Sequence, residues 1–329
     1  MANTFAILGS GGWGTAVALV LAQKPDHVVR LWSAHPDAAA RLAADRENRR
    51  LLPGVPLPQS LHITANEAEA VQDADCWITA IPTSYLRATL GRFARFDPKP
   101  VISLTKGIEP GSFRRPSEII RETIHAGAIG VLSGPSHAEE VARGLPTSLV
   151  LAADDAAFAA WAQDRLGTDR FRVYTNPDHV GVELAGALKN VIGIAGGICD
   201  GLGFGDNAKA ALLTRGVVEM TRFGVAHGAE AATFSGLAGI GDLIATCFSP
   251  HGRNRRVGHR LGQGESLADV LAGPQVAEGV PTSRAVFERT TALGLEAPIM
   301  TAVHRVLHDG LSPRNAVQEL MGRSQKTER

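Results

Sequence analysis

The chain has 329 residues, 44% of them hydrophobic and 20% charged, enough apolar material for two cores at about 150 residues per domain. Its 33 Lys and Arg balance 33 Asp and Glu, so no net field draws in nucleic acid or an anionic membrane. The 36 glycines follow no collagen period; they indicate tight turns and close backbone approaches, which suit a ligand-holding enzyme better than a fibrous or disordered chain.

The first element is a short apolar strand, 5–8, that runs into Gly9-Ser10-Gly11-Gly12-Trp13-Gly14 and then a helix over 15–23. A lone GxGxxG pattern is weak, but strand, glycine loop and helix in sequence form a dinucleotide fingerprint. Gly9 permits the tight turn, Gly11 lets a pyrophosphate approach the backbone, and Gly14 lets helix pack on strand. The phosphates would then sit on the free N–H groups at the helix start. The second strand, 27–32, ends in Ser33-Ala34-His35, with no acid to receive ribose hydroxyls. That absence tolerates a 2′-phosphate and favours NADP over NAD, with His35 and Arg41 as candidate phosphate contacts; for Arg41 an ordinary helix surface is the plainer reading.

Four more strands are expected at 75–81, 101–104, 129–132 and 148–152, with helices at 84–93, 117–125, 137–143 and 156–166. Strand and helix in alternation predict a doubly wound, mostly parallel sheet. Two of these strands end in polar groups, Lys106 after the fourth and Gly134 with Ser136 after the fifth, at the carboxyl ends where such sheets hold ligands. His137 follows directly, with capping or packing as its plain alternatives.

After 176–177 the strand signal stops, and helices are expected at 182–199, 208–227, 242–247, 267–271, 283–293, 300–308 and 312–321, then a polar tail over 324–329. The predicted domains are therefore 1–177, α/β, and 178–329, all-α. Lys189 lies inside an apolar helix, with Gly186, Gly193 and Gly196 on its face. A buried lysine beside glycines can touch a ligand, and burial or a second cation can tune its pKa; the plain alternative is a snorkelling surface lysine. Further on, Gly239-Ile240-Gly241-Asp242 sets an acid after a glycine turn, with Thr246 one helical turn later. Gly252-Arg253-Asn254-Arg255-Arg256 then reads as a phosphate site at a helix start or as a solvated charge cluster.

Other signals are bland. Cys76, Cys199 and Cys247 form no CxxC pair, which suits a reducing cytoplasm, and Cys247 reads as core. His304 and His308 form an HxxxH pair with Arg305 where a zincin needs Glu, so no metal is expected. The start lacks a basic leader, and no stretch approaches about 18 apolar residues, so neither a signal peptide nor a membrane span is expected.

GSGGWGTA at 9–16, SLTKGIE at 103–109, SGPSHAEEVARGLPT at 133–147, ELAGALKNVI at 183–192, GIGDLIATC at 239–247 and GRNRR at 252–256 together resemble the NAD(P)-dependent glycerol-3-phosphate dehydrogenase family of the bacterial type. The resemblance implies a Rossmann domain followed by a helical domain of the 6-phosphogluconate dehydrogenase-like kind. It further implies reduction of dihydroxyacetone phosphate to sn-glycerol 3-phosphate for glycerophospholipid synthesis, and a homodimer. By position it implies cofactor contacts from Gly12, Trp13, His35, Lys106, Ala138, Arg253, Val276 and Glu278. It implies substrate contacts from Lys106, Gly134, Ser136, Lys189, Asp242, Arg253 and Asn254, with Lys189 as proton acceptor. The chain departs from the pattern at Gly12 and Gly252, where serine is usual, and at His35, where arginine is common. In the chemistry expected here, Lys189 protonates the C2 oxygen and Lys106 adds charge beside it. Asp242 and Thr246 orient, and Arg253 and Asn254 hold the phosphate. Two rivals remain at this level. A hydroxy-acid dehydrogenase of related architecture would need a carboxylate clamp, and a nucleotide-sensing binding protein would need neither Lys106 nor Lys189.

Overall fold

The computed structural model describes residues 3–272, 276–325 and 327. In the first half, β1 (Asn3–Leu8), α1 (Gly12–Leu21), β2 (His27–Trp32), α2 (Pro36–Asp45), β3 (His62–Thr64), α3 (Glu67–Val71), β4 (Cys76–Thr79) and α4 (Thr83–Gly91) come first. They are followed by β5 (Val101–Ser103), α5 (Pro116–Ile124), β6 (Ile129–Ser133), α6 (Ala138–Ala142), β7 (Thr147–Ala153), α7 (Ala156–Leu166) and β8 (Phe171–Asn176). The strands form one sheet in the order β3-β2-β1-β4-β5-β6-β7-β8. Every neighbouring pair is parallel except β6 with β7. This is the expected Rossmann architecture. β4, β5 and β6 are buried along their whole length, as strands covered by helices on both faces must be.

The carboxyl ends of β1, β4, β5 and β6 lie side by side, so Gly9, Ala80, Lys106 and Gly134 emerge along one edge. The order reverses between β1 and β4, the switch point where such sheets hold dinucleotides.

The second half is helical: α8 (His179–Gly201), α9 (Asp206–Val225), a 3-10 turn (Ala231–Ser235), a π-helical turn (Leu237–Gly241), α10 (Asp242–Phe248) and α11 (Arg253–Gly262), then α12 (Leu267–Leu271), α13 (Gly279–Leu293), α14 (Pro298–His308) and α15 (Pro313–Met321). α8 is the axis of this half. Asp178 caps it, accepting from Gly181 N at 2.8 Å, and also accepts from Glu230 N at 2.9 Å and Thr233 Oγ1 at 2.6 Å. One carboxylate thus fixes the helix start and the 3-10 turn together. All residues from Gly181 to Cys199 are buried. With a mean hydropathy of 1.4 in its most apolar window, α8 is long and apolar enough to cross a membrane. The expectation that no stretch comes near that length is corrected here; the surrounding helices and the β6–β7 side of the sheet bury α8 completely, which is what its composition serves.

Where α8 crosses α11 the two backbones touch. A Cβ on Gly197 would stand 2.0 Å from Arg255 O, one on Gly201 2.2 Å from His259 O, and one on Gly258 1.9 Å from Ile194 O. No side chain fits there, and the contact seats Arg253 and Asn254 beside the middle of α8.

Five elements escape a reading based on apolar runs. β3 is three residues long at the sheet edge. β8, the other edge strand, alternates buried and exposed residues through Phe171–Val173 and then stays open to solvent. α2 and α3 bury only two residues each, Ala39 with Leu42 and Ala70 with Val71. α11 buries Asn254, Val257, Gly258 and Leu261, a helical period hidden because half of it is asparagine and glycine. Of the polar tail at 324–329, positions 326, 328 and 329 lie outside the described residues. Cys76, Cys199 and Cys247 are buried and unpaired.

Candidate active site

The glycine loop is shaped by backbone contacts. Gly9 has φ +124°, and a Cβ there would meet Ala80 O at 2.6 Å; one on Gly14 would meet Gly9 O at 2.0 Å. Gly11 is the N-cap of α1 and has nothing within 4 Å of where its Cβ would be. The first turn of α1 is thus approachable from that side, as a pyrophosphate requires. A residue missed by the sequence reading holds the loop: buried Asn48 donates from Nδ2 to Ser10 O at 3.2 Å and to Thr15 Oγ1 at 3.0 Å. Its signal was only an asparagine in a charged stretch.

Around the loop, Gly12 stands 3.6 Å, measured from an added Cβ, from both Ala138 and Leu51. The serine usual at that position would fit. Trp13 packs against the sheet core, and its Nε1 has no partner among the described residues. His35 is exposed at the start of α2, and Arg41 is exposed further along it. The loop and the acid-free end of β2 fit a dinucleotide, including one with a 2′-phosphate.

About the strand ends the second constellation closes. Lys106, half-buried beyond β5, donates from Nζ to Asp242 Oδ2 at 2.7 Å, to Gly134 O at 2.9 Å and to Ser136 Oγ at 3.1 Å. Gly134 has φ +124°, which turns the chain after β6 so that its carbonyl faces the ammonium. Lys189, buried on α8, donates to Thr246 Oγ1 at 2.6 Å and lies 3.1 Å from Asp242 Oδ1. Two cations therefore share one buried carboxylate. Burial alone would push the Asp242 carboxyl up, but the two ammoniums outweigh it and hold the group below the ordinary carboxylate range. Burial brings Lys106 down to about 8, against the pull of Asp242 and with help from the charge of Lys189.

The glycine face of α8 serves packing more than ligand approach. An added Cβ on Gly193 would meet Thr246 at 2.7 Å, on Gly196 Cys247 Sγ at 3.1 Å, and on Gly186 Ser133 Oγ at 2.8 Å. The first two contacts bring α10, with Asp242 and Thr246, down onto Lys189, and the third seats α8 against the end of β6. The π-helical turn that precedes α10 closes with Gly241 N on Gly236 O at 3.2 Å, and it delivers Asp242 inward.

A second missed residue is Asn190. Its Nδ2 donates to Lys106 O at 3.1 Å, and its Oδ1 accepts from Asn254 Nδ2 at 2.8 Å. Asn254 Oδ1 in turn accepts from Gly279 N at 2.9 Å. This chain of amides joins β5's loop, α8, α11 and α13. An asparagine next to Lys189 inside a mostly apolar helix was the available signal, because a buried amide needs partners.

Arg253 is exposed at the first position of α11 and has no ion pair among the described residues. Arg255 is instead occupied by Asp200 at 2.6 Å. A Cβ on Gly252 would stand 2.5 Å from Thr246 O, so the usual serine would require the loop before α11 to move. Glu278 accepts from Thr83 N, at the start of α4, at 2.9 Å, and burial pushes its carboxyl up. Val276 is half-buried two residues earlier. His304 stacks on Phe287 at 3.9 Å, and His308 Nε2 lies 3.0 Å from Ser283 Oγ. Cys247 is buried against Gly196, its thiol pushed up to about 12 by burial, which leaves it inert.

The chain matches the profile of the NAD-dependent glycerol-3-phosphate dehydrogenase N-terminus over residues 4–159 and that of the C-terminus over 178–318. A relative from Chlorobium phaeobacteroides, named glycerol-3-phosphate dehydrogenase (NAD(P)+), is 47% identical over 98% of each chain. One of the same name from Geobacillus thermodenitrificans is 47% identical over 98% of this chain and 95% of its own. The crystal structure of glycerol-3-phosphate dehydrogenase from Coxiella burnetii superposes with TM-score 0.94 at 39% identity, covering 98% of this chain and 99% of that one. A D-mandelate dehydrogenase shares the fold alone, at TM-score 0.65 and 15% identity over 95% of this chain and 99% of its own.

Proposed function

The chain belongs to the NAD-dependent glycerol-3-phosphate dehydrogenase family, and from that premise we propose how its residues carry the reaction. The reaction is NAD(P)H-dependent, reversible reduction of dihydroxyacetone phosphate to sn-glycerol 3-phosphate. When bound, the reduced nicotinamide supplies the hydride to C2. Gly9, Gly11, Gly12, Trp13 and Gly14 hold the cofactor's phosphates and neighbouring groups, with Ala138, Val276 and Glu278 further along it. His35, where a carboxylate would repel a 2′-phosphate, favours NADP.

The observation that carries the reading is the pair of lysines on one buried aspartate, Lys106 at 2.7 Å and Lys189 at 3.1 Å. Two ammoniums and one carboxylate leave a net positive charge where the C2 oxygen becomes an alkoxide. Lys189 gives that oxygen its proton in reduction and takes it back in oxidation, held in line by Asp242 and Thr246. Lys106 stabilises the developing charge, and the Gly134 carbonyl and Ser136 hydroxyl that now receive its protons lie beside the substrate's hydroxyl end. Arg253, with the N–H groups of Arg253 and Asn254 at the start of α11, clamps the phosphate, while Gly252 N donates to Ser249 O at 3.2 Å and shapes the turn.

The division of labour follows the chain in the main, 1–177 for the cofactor and 178–329 for the substrate, with Lys106, Gly134 and Ser136 reaching the substrate from the first and Val276 and Glu278 the cofactor from the second. A homodimer, a cytoplasmic setting and a supply role for glycerophospholipid synthesis complete the reading.

The test is the loss of reduced-nicotinamide absorbance with dihydroxyacetone phosphate and NADPH or NADH. Oxidation with the phosphorylated ketone and not with dihydroxyacetone is expected. Equal rates with both ketones would remove the phosphate clamp from the argument, and a faster rate with NADH would reverse the cofactor preference.

A further inference from the structure

One side chain packed against the catalytic cluster has no part in the chemistry above. His137 is the N-cap residue of α6, yet its ring makes no capping bond. Its Nε2 lies 3.2 Å from Ala245 O. A carbonyl only accepts, so Nε2 carries the proton and, in the neutral ring, Nδ1 holds a lone pair. Ala245 is the residue before Thr246, three beyond Asp242, and His137 is the residue after Ser136. A single bond therefore ties the loop that receives Lys106 to the helix that receives Lys189. The ring also meets that of His251 with centroids 5.9 Å apart, and His251 leads directly into Gly252 and Arg253.

We propose that His137 is a positioning residue for this reaction: it locks α10 onto the loop after β6, so that Asp242 and Thr246 hold the Lys189 ammonium in line with the substrate oxygen. The inference rests on the dehydrogenase reading above. The charged and titratable groups facing the ring are Lys189 from α8, Asp242 from α10, Glu140 from α6 itself and His251 from the loop before α11. Glu139, 4.0 Å from His251, lies one step further out. Burial lowers the ring's basicity first; Lys189 lowers it further, and the Ala245 bond, Asp242 and Glu140 oppose. His137 is thus neutral at neutral pH. Protonation would add a third cation beside two lysines that already share one carboxylate, so the ring sets an acid limit on catalysis below the ordinary histidine range.

The test compares the full-length protein with His137→Phe, which keeps a ring but loses the donor, and with His137→Gln, whose amide can donate to the same carbonyl. Rates with dihydroxyacetone phosphate and NADPH are followed across pH, with kcat and KM separated, and NADPH binding is read by its fluorescence. The phenylalanine variant is expected to lose about tenfold in kcat, the size of one buried hydrogen bond, with KM changed less than about twofold and NADPH binding unchanged. The glutamine variant is expected to recover most of kcat and to lose the acid limb. Wild-type kcat in the phenylalanine variant, or no recovery with glutamine, would overturn the proposal. A wild-type protein that leaves NADPH unoxidised would sink the dehydrogenase reading instead. The position of the ring is then read independently, by an imidazole nitrogen–proton NMR spectrum: an Nε2–H tautomer is expected, and an Nδ1–H tautomer overturns it.

Discussion

In the cofactor cradle, the backbone makes the site: Gly9 turns under Ala80, Gly14 closes on Gly9, and Gly11 leaves the helix start open, all within a span of six residues. In the catalytic cluster the side chains make it: Lys106, Lys189, Asp242 and Thr246 come from three elements, the loop after β5, α8 and α10, spread over more than a hundred residues. The cradle needs positions where nothing projects, and the cluster needs buried charges that balance. The first asks for glycine at fixed spacing, the second for a whole fold to bring two ammoniums to 2.7 and 3.1 Å from one carboxylate. A change in the cradle should therefore act on cofactor binding, and a change in the cluster on turnover.

The contrast breaks most visibly at Lys189. Lys189→Ala is expected to cut kcat about a thousandfold, by removing both the proposed proton donor and one of the two cations paired with Asp242, while NADPH binding by fluorescence stays near wild type. Near-normal turnover would dismiss the proton-donor assignment. In the cradle, Gly14→Val should weaken NADPH binding by about a hundredfold, since its Cβ would overlap Gly9 O; calorimetric titration measures it, and unchanged affinity would mean that the loop moves freely. Arg253→Ala is expected to raise the KM for dihydroxyacetone phosphate by roughly tenfold to a hundredfold and to change kcat little.

The smallest of these effects is in the pH profile. In the role proposed for it Lys106 acts as a cation, and burial brings its pKa down to about 8, so kcat/KM for reduction should fall about tenfold per pH unit above that value as the ammonium is lost. Lys106→Arg should move this limb well above pH 8 without moving the acid side. An alkaline limb at the same pH in the arginine variant would assign it to another group.

The same division decides how much could be read from the sequence. GxGxxG is legible because its geometry is local: strand, turn and helix follow one another, and each glycine has its own steric reason. Lys106 and Lys189 were legible as suspicious residues, one at a strand end and one in an apolar helix. That they share Asp242 depends on a tertiary contact that spacing does not record. Asn48 and Asn190 were passed over because an amide declares a role only when its partners are known, and those lie at Ser10, Thr15, Lys106 and Asn254. β8 and α11 were lost for a related reason. An edge strand that wets one face, and a helix that buries glycine where others bury leucine, show little apolar period, although the first closes the sheet and the second shapes the substrate half. The helical architecture after 176–177 was still evident, since the remaining segments carry a clear apolar stripe.

At the crossing of α8 and α11 the two main chains meet through Gly197, Gly201 and Gly258 without a side chain between them. Helices in such contact cannot slide by fractions of an ångström as helices separated by leucines can, because no rotamer is available to absorb the shift. One carries Lys189 and the other Arg253, so on the roles proposed for them the spacing of the two backbones that bear proton donor and phosphate clamp is set by main-chain contact. On those proposed roles the pair would act as a gauge along the substrate: it would measure the number of carbons between a ketone and its phosphate, and a homologue one carbon longer would present the right groups at the wrong distance.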